Sequence, residues 1–262
     1  MNSKPIFPTP LHKAAAQLIQ DYFVEIDSVD TVLVVNSCAR GHAVPESDLD
    51  VAILVKPKTS PAAMKVIENQ WQIYAETQPA LAAYRSAHQF AHVHLDIIDG
   101  IYTPAFLEPG APSDFFEVAI GNQVQYSAPM NSPGNYFREL QHKWLPYYNE
   151  DLRLQRFTMS KAACEYNLNH IEVYMERRLY FQAFDILYRA FQDYLQTLFI
   201  ANKIYPIAYN KWIKEQVAVC LKRPALYPKL SPILSVNNLE SGEIKIKAAM
   251  LYDLLYDITP EH

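Results

Sequence analysis

The chain has 262 residues, of which 50% are hydrophobic, so it can bury one large core or two ordinary ones. Its formal net charge of −5 excludes the broad basic surface of a general nucleic-acid-binding protein, and we expect no long nucleic acid as partner. The three cysteines show no paired spacing, which favours a reduced protein over a disulfide framework. Because no signal peptide and no apolar stretch of about 18 residues occur, we expect a cytoplasmic protein without a membrane partner.

The first half of the chain alternates between helical and extended patterns. Residues 10–26 repeat apolar side chains at helical spacing. A second helix is predicted over 61–76, because Ser60 can cap it and Pro61 fits the first helical position. Short apolar runs predict strands at 31–35, 49–55 and 93–98, and residues 117–126 are interpreted as one more strand.

A turn-rich segment at 128–134 is interpreted as a linker, and the pattern beyond it is helical. Helices are predicted at 135–148, 152–176, 179–203, 209–221 and 240–257, with an irregular connection at 222–238. The sequence therefore predicts an α+β fold with two domains. Residues 1–130 would form a mixed sheet flanked by helices, and residues 131–262 an all-α helical bundle.

Three aspartates stand in or beside the predicted strands. Asp48 and Asp50 are two residues apart where the second strand begins, so they point to the same face, and Asp96 lies on the third strand. Adjacent carboxylates repel each other unless a cation lies between them. Since Mg²⁺ is usually held by one or two carboxylates and substrate phosphates, we predict a magnesium site for a phosphate-bearing substrate.

The loop between the first two strands supplies further candidates. Asn36 and Ser37 lie at its start, where a hydroxyl and backbone N–H groups can meet phosphate oxygens. Arg40 continues this loop, and it is interpreted either as a ligand-binding cation or as an ordinary loop residue. Ser47 is interpreted either as a ligand contact or as a brace of the turn.

The order of these elements resembles the nucleotidyltransferase superfamily, which includes DNA polymerase beta and the aminoglycoside and lincosamide nucleotidyltransferases. The resemblance is carried by N-S-x-A-R-G at 36–41, S-D-x-D at 47–50 and the later Asp96. It implies that Asp48, Asp50 and Asp96 are catalytic and bind two Mg²⁺ ions, and that Asn36 and Ser37 bind the triphosphate. The usual glycine before the serine is Asn36 here, and asparagine tolerates left-handed backbone geometry.

The resemblance also implies an activity. The chain would transfer a nucleotidyl group, AMP from ATP, to a hydroxyl of a small-molecule acceptor and release pyrophosphate. Related enzymes use a lysine of the helical domain on the triphosphate. Lys211 is interpreted either as that lysine or as an ordinary exposed lysine beside a packed Trp212. The alternative is an antitoxin-like or regulatory nucleotide-binding module without turnover. The acceptor, the preferred nucleobase, the general base, the oligomeric state and the effect of Asn36 on turnover stay open.

Some polar residues have a plain structural interpretation. Asp185, Arg189 and Asp193 recur every four residues, and we interpret them as a ladder of ion pairs in preference to a substrate-binding row. His94 shares the face of Asp96, and we interpret it as a packed neutral histidine in preference to a residue near the site.

Overall fold

The structure is a computed structural model that describes residues 4–87, 89–105, 108 and 113–260. It combines a four-stranded sheet with many helices, so the predicted α+β fold is confirmed. Two compact units divide the chain: Met1–Tyr102 with Ala119–Pro146, and Thr103–Val118 with Tyr147–His262. The boundary near residue 130, which concerns independently folding domains, stays a prediction. None of the helices in the described ranges is long and apolar enough to cross a membrane.

The elements fall into a sheet-forming half and a helical half. The first half contains, in chain order, α1 (Pro10–Phe23), β1 (Val29–Val34), α2 (Asn36–Arg40), β2 (Leu49–Val55), α3 (Pro61–Glu76), α4 (Pro79–Arg85), β3 (Val93–Ile98), α5 (Phe116–Ile120), β4 (Ala128–Pro129) and α6 (Asn135–Trp144). The second half contains α7 (Glu150–Glu176), α8 (Tyr180–Ala201), α9 (Ile213–Glu215), α10 (Tyr227–Leu230) and α11 (Glu243–Tyr256). Single π-helical turns continue α5 over Gly121–Gln125 and α9 over Gln216–Cys220, and a 3₁₀ turn follows α10 at Ser231–Leu234.

The sheet has the strand order β3-β2-β1-β4. β2 runs antiparallel to β1 and parallel to β3, and β1 runs antiparallel to β4. One face carries Val34, Val51 and Ile53, which are buried with residues of α1, α3 and α4 in a single apolar cluster. Because side chains alternate along a strand, Asp50 points to the opposite face.

Two predictions about the middle of the chain are wrong. Residues 117–126, interpreted as a strand, form α5 and its π turn, and the buried residues Phe116, Ile120 and Val124 recur at the helical spacing of four. The segment interpreted as a linker contributes β4, whose Ala128 pairs with Val34 of β1. β1 thereby has strand neighbours on both sides, β2 and β4.

A carboxylate in β1 holds the start of α6. Asp30 lies at an irregularity of the β1–β2 pairing, and its two oxygens accept the N–H groups of Tyr136 and Phe137 at 3.1 and 3.0 Å. Gly134 precedes the helix, and a Cβ built there would lie 2.4 Å from the Asp30 carboxylate. Glycine is therefore required where the helix approaches this carboxylate.

The second unit buries an ion network. The side chain of Arg156 on α7 is fully buried; its guanidinium donates to Glu117 at 2.5 and 2.7 Å and to Asp114 at 2.5 and 3.1 Å. Tyr148 and Gln196 complete the network with hydrogen bonds to Glu117. Both carboxylates share one guanidinium and accept additional hydrogen bonds, and these contacts offset the cost of burying the charges.

The predicted ladder on α8 forms in part. Arg189 contacts Asp185 at 2.9 Å, as predicted for an i,i+4 pair. Asp193 is buried, and it accepts hydrogen bonds from Ser113 at 2.7 Å and from Asn167 at 2.8 Å. Burial raises the pKa of Asp193 to about 6, although both hydrogen bonds act to lower it.

Candidate functional site

The loop after β1 begins with a left-handed residue. Asn36 has φ of 55°, and a short helix then runs to Arg40 and ends at Gly41, whose φ is 74°. The left-handed geometry that asparagine tolerates is thus the one observed. The amide of Val35, just before this turn, donates to the carbonyl of Asp50 at 3.0 Å, so the turn and the start of β2 lie side by side.

Two of the three predicted aspartates, Asp50 and Asp96, lie on one face of the sheet, and Asp48 immediately precedes β2. In the parallel pairing of β2 with β3, Asp50 lies opposite His94, and Ala52 lies opposite Asp96. The residue of β3 beside Asp50 is therefore His94, and Asp96 lies two positions after it on the same strand. Asp96 is exposed and Asp50 is half-buried, so this end of the face is open to solvent.

The carboxylate of Asp48 is oriented by β3. The backbone N–H of His92 donates to its Oδ1 at 3.2 Å, and the ring Nε2 of His94 lies 3.5 Å from its Oδ2. The side chain of His94 is 60% exposed, so the interpretation of a packed histidine is wrong. Shared strand parity was the signal in the sequence that placed His94 near the site.

The donor atoms suit a hard cation. Within the described ranges, no three or more His, Cys, Asp or Glu side chains lie close enough together to hold a metal ion. Mg²⁺ needs fewer protein ligands, because one or two carboxylates and the phosphates of a substrate commonly complete its shell. Asp48 and Asp50 fit that smaller requirement, while metal binding by all three aspartates stays a prediction.

Ser47 and Arg40 are held within the protein. The hydroxyl of Ser47 accepts the N–H of Val44 at 2.9 Å. Its carbonyl accepts hydrogen bonds from Tyr84 and from the ring Nε2 of His12, both at 2.9 Å. These contacts are those of a brace for the turn, which was one of the two interpretations of Ser47. The guanidinium nitrogens of Arg40 are shielded from solvent, and ligand binding by Ser47 or Arg40 stays a prediction.

Cys38 lies behind the loop and is buried. Burial, together with the nearby charge of Asp50, raises the pKa of its thiol to about 12. A thiolate is the reactive form of cysteine, and this thiol stays protonated at neutral pH. The site therefore offers oxygen and imidazole chemistry rather than a cysteine nucleophile.

Lys211 belongs to the second unit. It is exposed, and its backbone carbonyl accepts a hydrogen bond from Gln216 at 2.8 Å. The helix predicted from residue 209 begins at Ile213, so Lys211 lies in the connection before it. Its contact with a triphosphate stays a prediction.

Comparison with known proteins yields a weak likeness to solved structures and none to a known family or a curated protein. No model of a known protein family matches the chain, and no similar sequence is found among curated proteins. Among solved structures, the chain is similar to a nucleotidyltransferase-like protein from Exiguobacterium sibiricum 255-15. The two share 12% sequence identity with a TM-score of 0.40, over 94% of this chain and 74% of that one. A likeness at this level assigns neither a family nor an activity to the chain.

Proposed function

We propose that the chain is a Mg²⁺-dependent nucleotidyltransferase that moves AMP from ATP to a hydroxyl of a small molecule. The observation that supports it is the placement of Asp48 and Asp50 at an open sheet face, next to the turn that carries Asn36 and Ser37. Carboxylates of this kind are unfavourable neighbours without a cation. A cation would neutralise the charge of the carboxylates, and a triphosphate would accept hydrogen bonds from the turn.

Each residue has a role in this proposal. Asp48 and Asp50 hold Mg²⁺, which, when bound, neutralises charge on the phosphates. Ser37 donates a hydrogen bond to a phosphate oxygen, and Lys211 neutralises charge on the departing pyrophosphate. Asp96 accepts the proton of the acceptor hydroxyl. A bond forms between the acceptor oxygen and the α-phosphorus, and the bond from the α-phosphorus to the bridging oxygen breaks.

The test is pyrophosphate release from each nucleoside triphosphate with a panel of hydroxylated small molecules. Asp50→Asn and Asp96→Asn keep the shape of the side chain and remove the charge, and we expect each to lower the rate by about 100-fold or more. Asp99→Asn is the matched control. Its carboxylate accepts the amide of Ile101, a bond that asparagine can keep. Full activity in both active-site variants would refute the proposal.

A second candidate is a nucleotide-binding module without turnover, either regulatory or antitoxin-like. It is favoured by the contacts of Asp48 with His92 and His94, which leave that carboxylate room for one cation rather than for the two that turnover would use. Calorimetry with a non-hydrolysable ATP analogue and Mg²⁺ would then show binding, while pyrophosphate release stays absent for every acceptor. Gel filtration and co-purification would identify an obligate protein partner.

A further inference from the structure

The helical unit contains a cavity of about 400 Å³ that the proposed transfer reaction does not use. Its floor is apolar, with Tyr194 and Leu198 from α8 and Leu254 from α11. The volume lies within the range of small-molecule sites, which are mostly apolar with a few polar groups. The cavity can therefore hold the apolar part of a ligand.

Its rim is positively charged. Lys222, Arg223 and Lys229 line the cavity, and Asp257 is the single acidic residue among the lining side chains. Within the described chain, neither Lys222 nor Lys229 forms an ion pair, and both are exposed. Two exposed cations that line one cavity and form no ion pair attract an anionic group.

The backbone at the rim is strained at Lys222. Lys222 follows the π turn of Gln216–Cys220 and has φ of 55°, a conformation unfavourable for a lysine. The backbone N–H of Arg223 donates to the carbonyl of Val217 at 2.9 Å, and this hydrogen bond closes the turn.

We propose that this cavity binds an organic phosphate, with its phosphate at Lys222 and Lys229 and its apolar body over Tyr194 and Leu198. A phosphate monoester carries close to two negative charges at neutral pH. Two or more cations at the rim match that charge better than they match the single charge of a carboxylate. The apolar floor adds affinity that inorganic phosphate cannot gain.

The test is calorimetry of the full chain with phenyl phosphate at low salt. We expect saturable 1:1 binding, with at least tenfold weaker binding of phenol, benzoate and inorganic phosphate. The variant Lys222→Ala/Lys229→Ala should raise the Kd at least tenfold. The matched control is Lys13→Ala/Lys58→Ala, because both lysines are exposed outside the cavity and Lys58 also has a positive φ of 71°.

The proposed phosphate site at Ser37 needs a separate control. Ser37→Ala should leave the phenyl phosphate Kd unchanged, since that residue lies in the other unit. Loss of binding in Ser37→Ala with unchanged binding in Lys222→Ala/Lys229→Ala would overturn the proposal. Absent binding to the wild-type chain, or equal affinity for inorganic phosphate or benzoate, would also overturn it.

Discussion

The ring Nε2 of His94 lies 3.5 Å from Oδ2 of Asp48, so a carboxylate that we propose as a cation ligand already has a partner on the neighbouring strand. Partners that orient metal ligands typically contribute 10- to 100-fold to metal affinity. We therefore expect His94→Ala to weaken Mn²⁺ binding, measured by electron paramagnetic resonance with a non-hydrolysable ATP analogue, by about tenfold. His94→Gln, which keeps a donor, should recover most of that affinity.

The exposed His142 offers the control, because His142→Ala removes an imidazole far along the chain from the site. Unchanged Mn²⁺ affinity in His94→Ala would show that this contact does not orient Asp48.

Asn36 has φ of 55°, a region in which most residues other than glycine are strained. Asn36→Ala should lower the free energy of unfolding by about 1 kcal/mol, because alanine has no side-chain hydrogen bond to offset the strain. Asn36→Gly should be as stable as the wild type, or nearly so. Urea denaturation of the three proteins measures both effects, and equal stability of Asn36→Ala would argue against strain at this turn.

Gly134 lies against the carboxylate of Asp30. Gly134→Ala should destabilise the chain by about 1–3 kcal/mol in urea denaturation, because its methyl group displaces the carboxylate that caps α6. Gly242→Ala is the matched control: it also precedes a helix, and no atom lies within 4 Å of a Cβ built there.

A double-mutant cycle with Asp30→Ala tests the cause. Once that carboxylate is removed, the loss in free energy of unfolding caused by Gly134→Ala should be smaller by about 0.5 kcal/mol or more. Additive effects of the two substitutions would show that contact with the Asp30 carboxylate does not cause the destabilisation.

Asp193 makes stability depend on pH. Its pKa is about 6 in the folded chain, raised by burial from 3.8. The folded state therefore holds the proton more tightly than the unfolded state, so stability falls as pH rises from about 4 to about 7. A difference of about two pKa units between the folded and unfolded states corresponds to about 3 kcal/mol of folding stability, which is lost over this pH range.

Asp193→Asn should remove this pH dependence and be more stable than the wild type at pH 8. The buried Oδ1 of Asn167 has no hydrogen-bond partner among the described atoms and can accept the new amide. Urea unfolding between pH 4.5 and pH 8 measures the slope. The control is Asp185→Asn, which removes an exposed carboxylate of the same helix; a slope that persists in Asp193→Asn would assign the effect to another group.

Local sequence patterns are sufficient to predict several helices and strands. The strands at 49–55 and 93–98 and the helix at 61–76 have the predicted bounds. Each is delimited by residues whose chemistry acts within a few positions, such as Ser60, which caps its helix by accepting the amide of Ala63.

The errors arose where distant residues decide the structure. Glu117 is fully buried because Arg156 and Tyr148 contact it, and no nearby residue reveals that contact. At the site, strand parity predicted the shared face of the aspartates. The register that puts His94, rather than Asp96, opposite Asp50 depends on how the strands pair.

β3 is an edge strand of the sheet built by the described residues, and edge strands can pair with strands of other chains. His94 and Asp96 are exposed on this strand, and polar side chains of this kind discourage pairing. Substitutions that make the strand more apolar, such as Asp96→Val, are thus expected to promote self-association in addition to any effect on chemistry. Solubility limits how far this part of the surface can change.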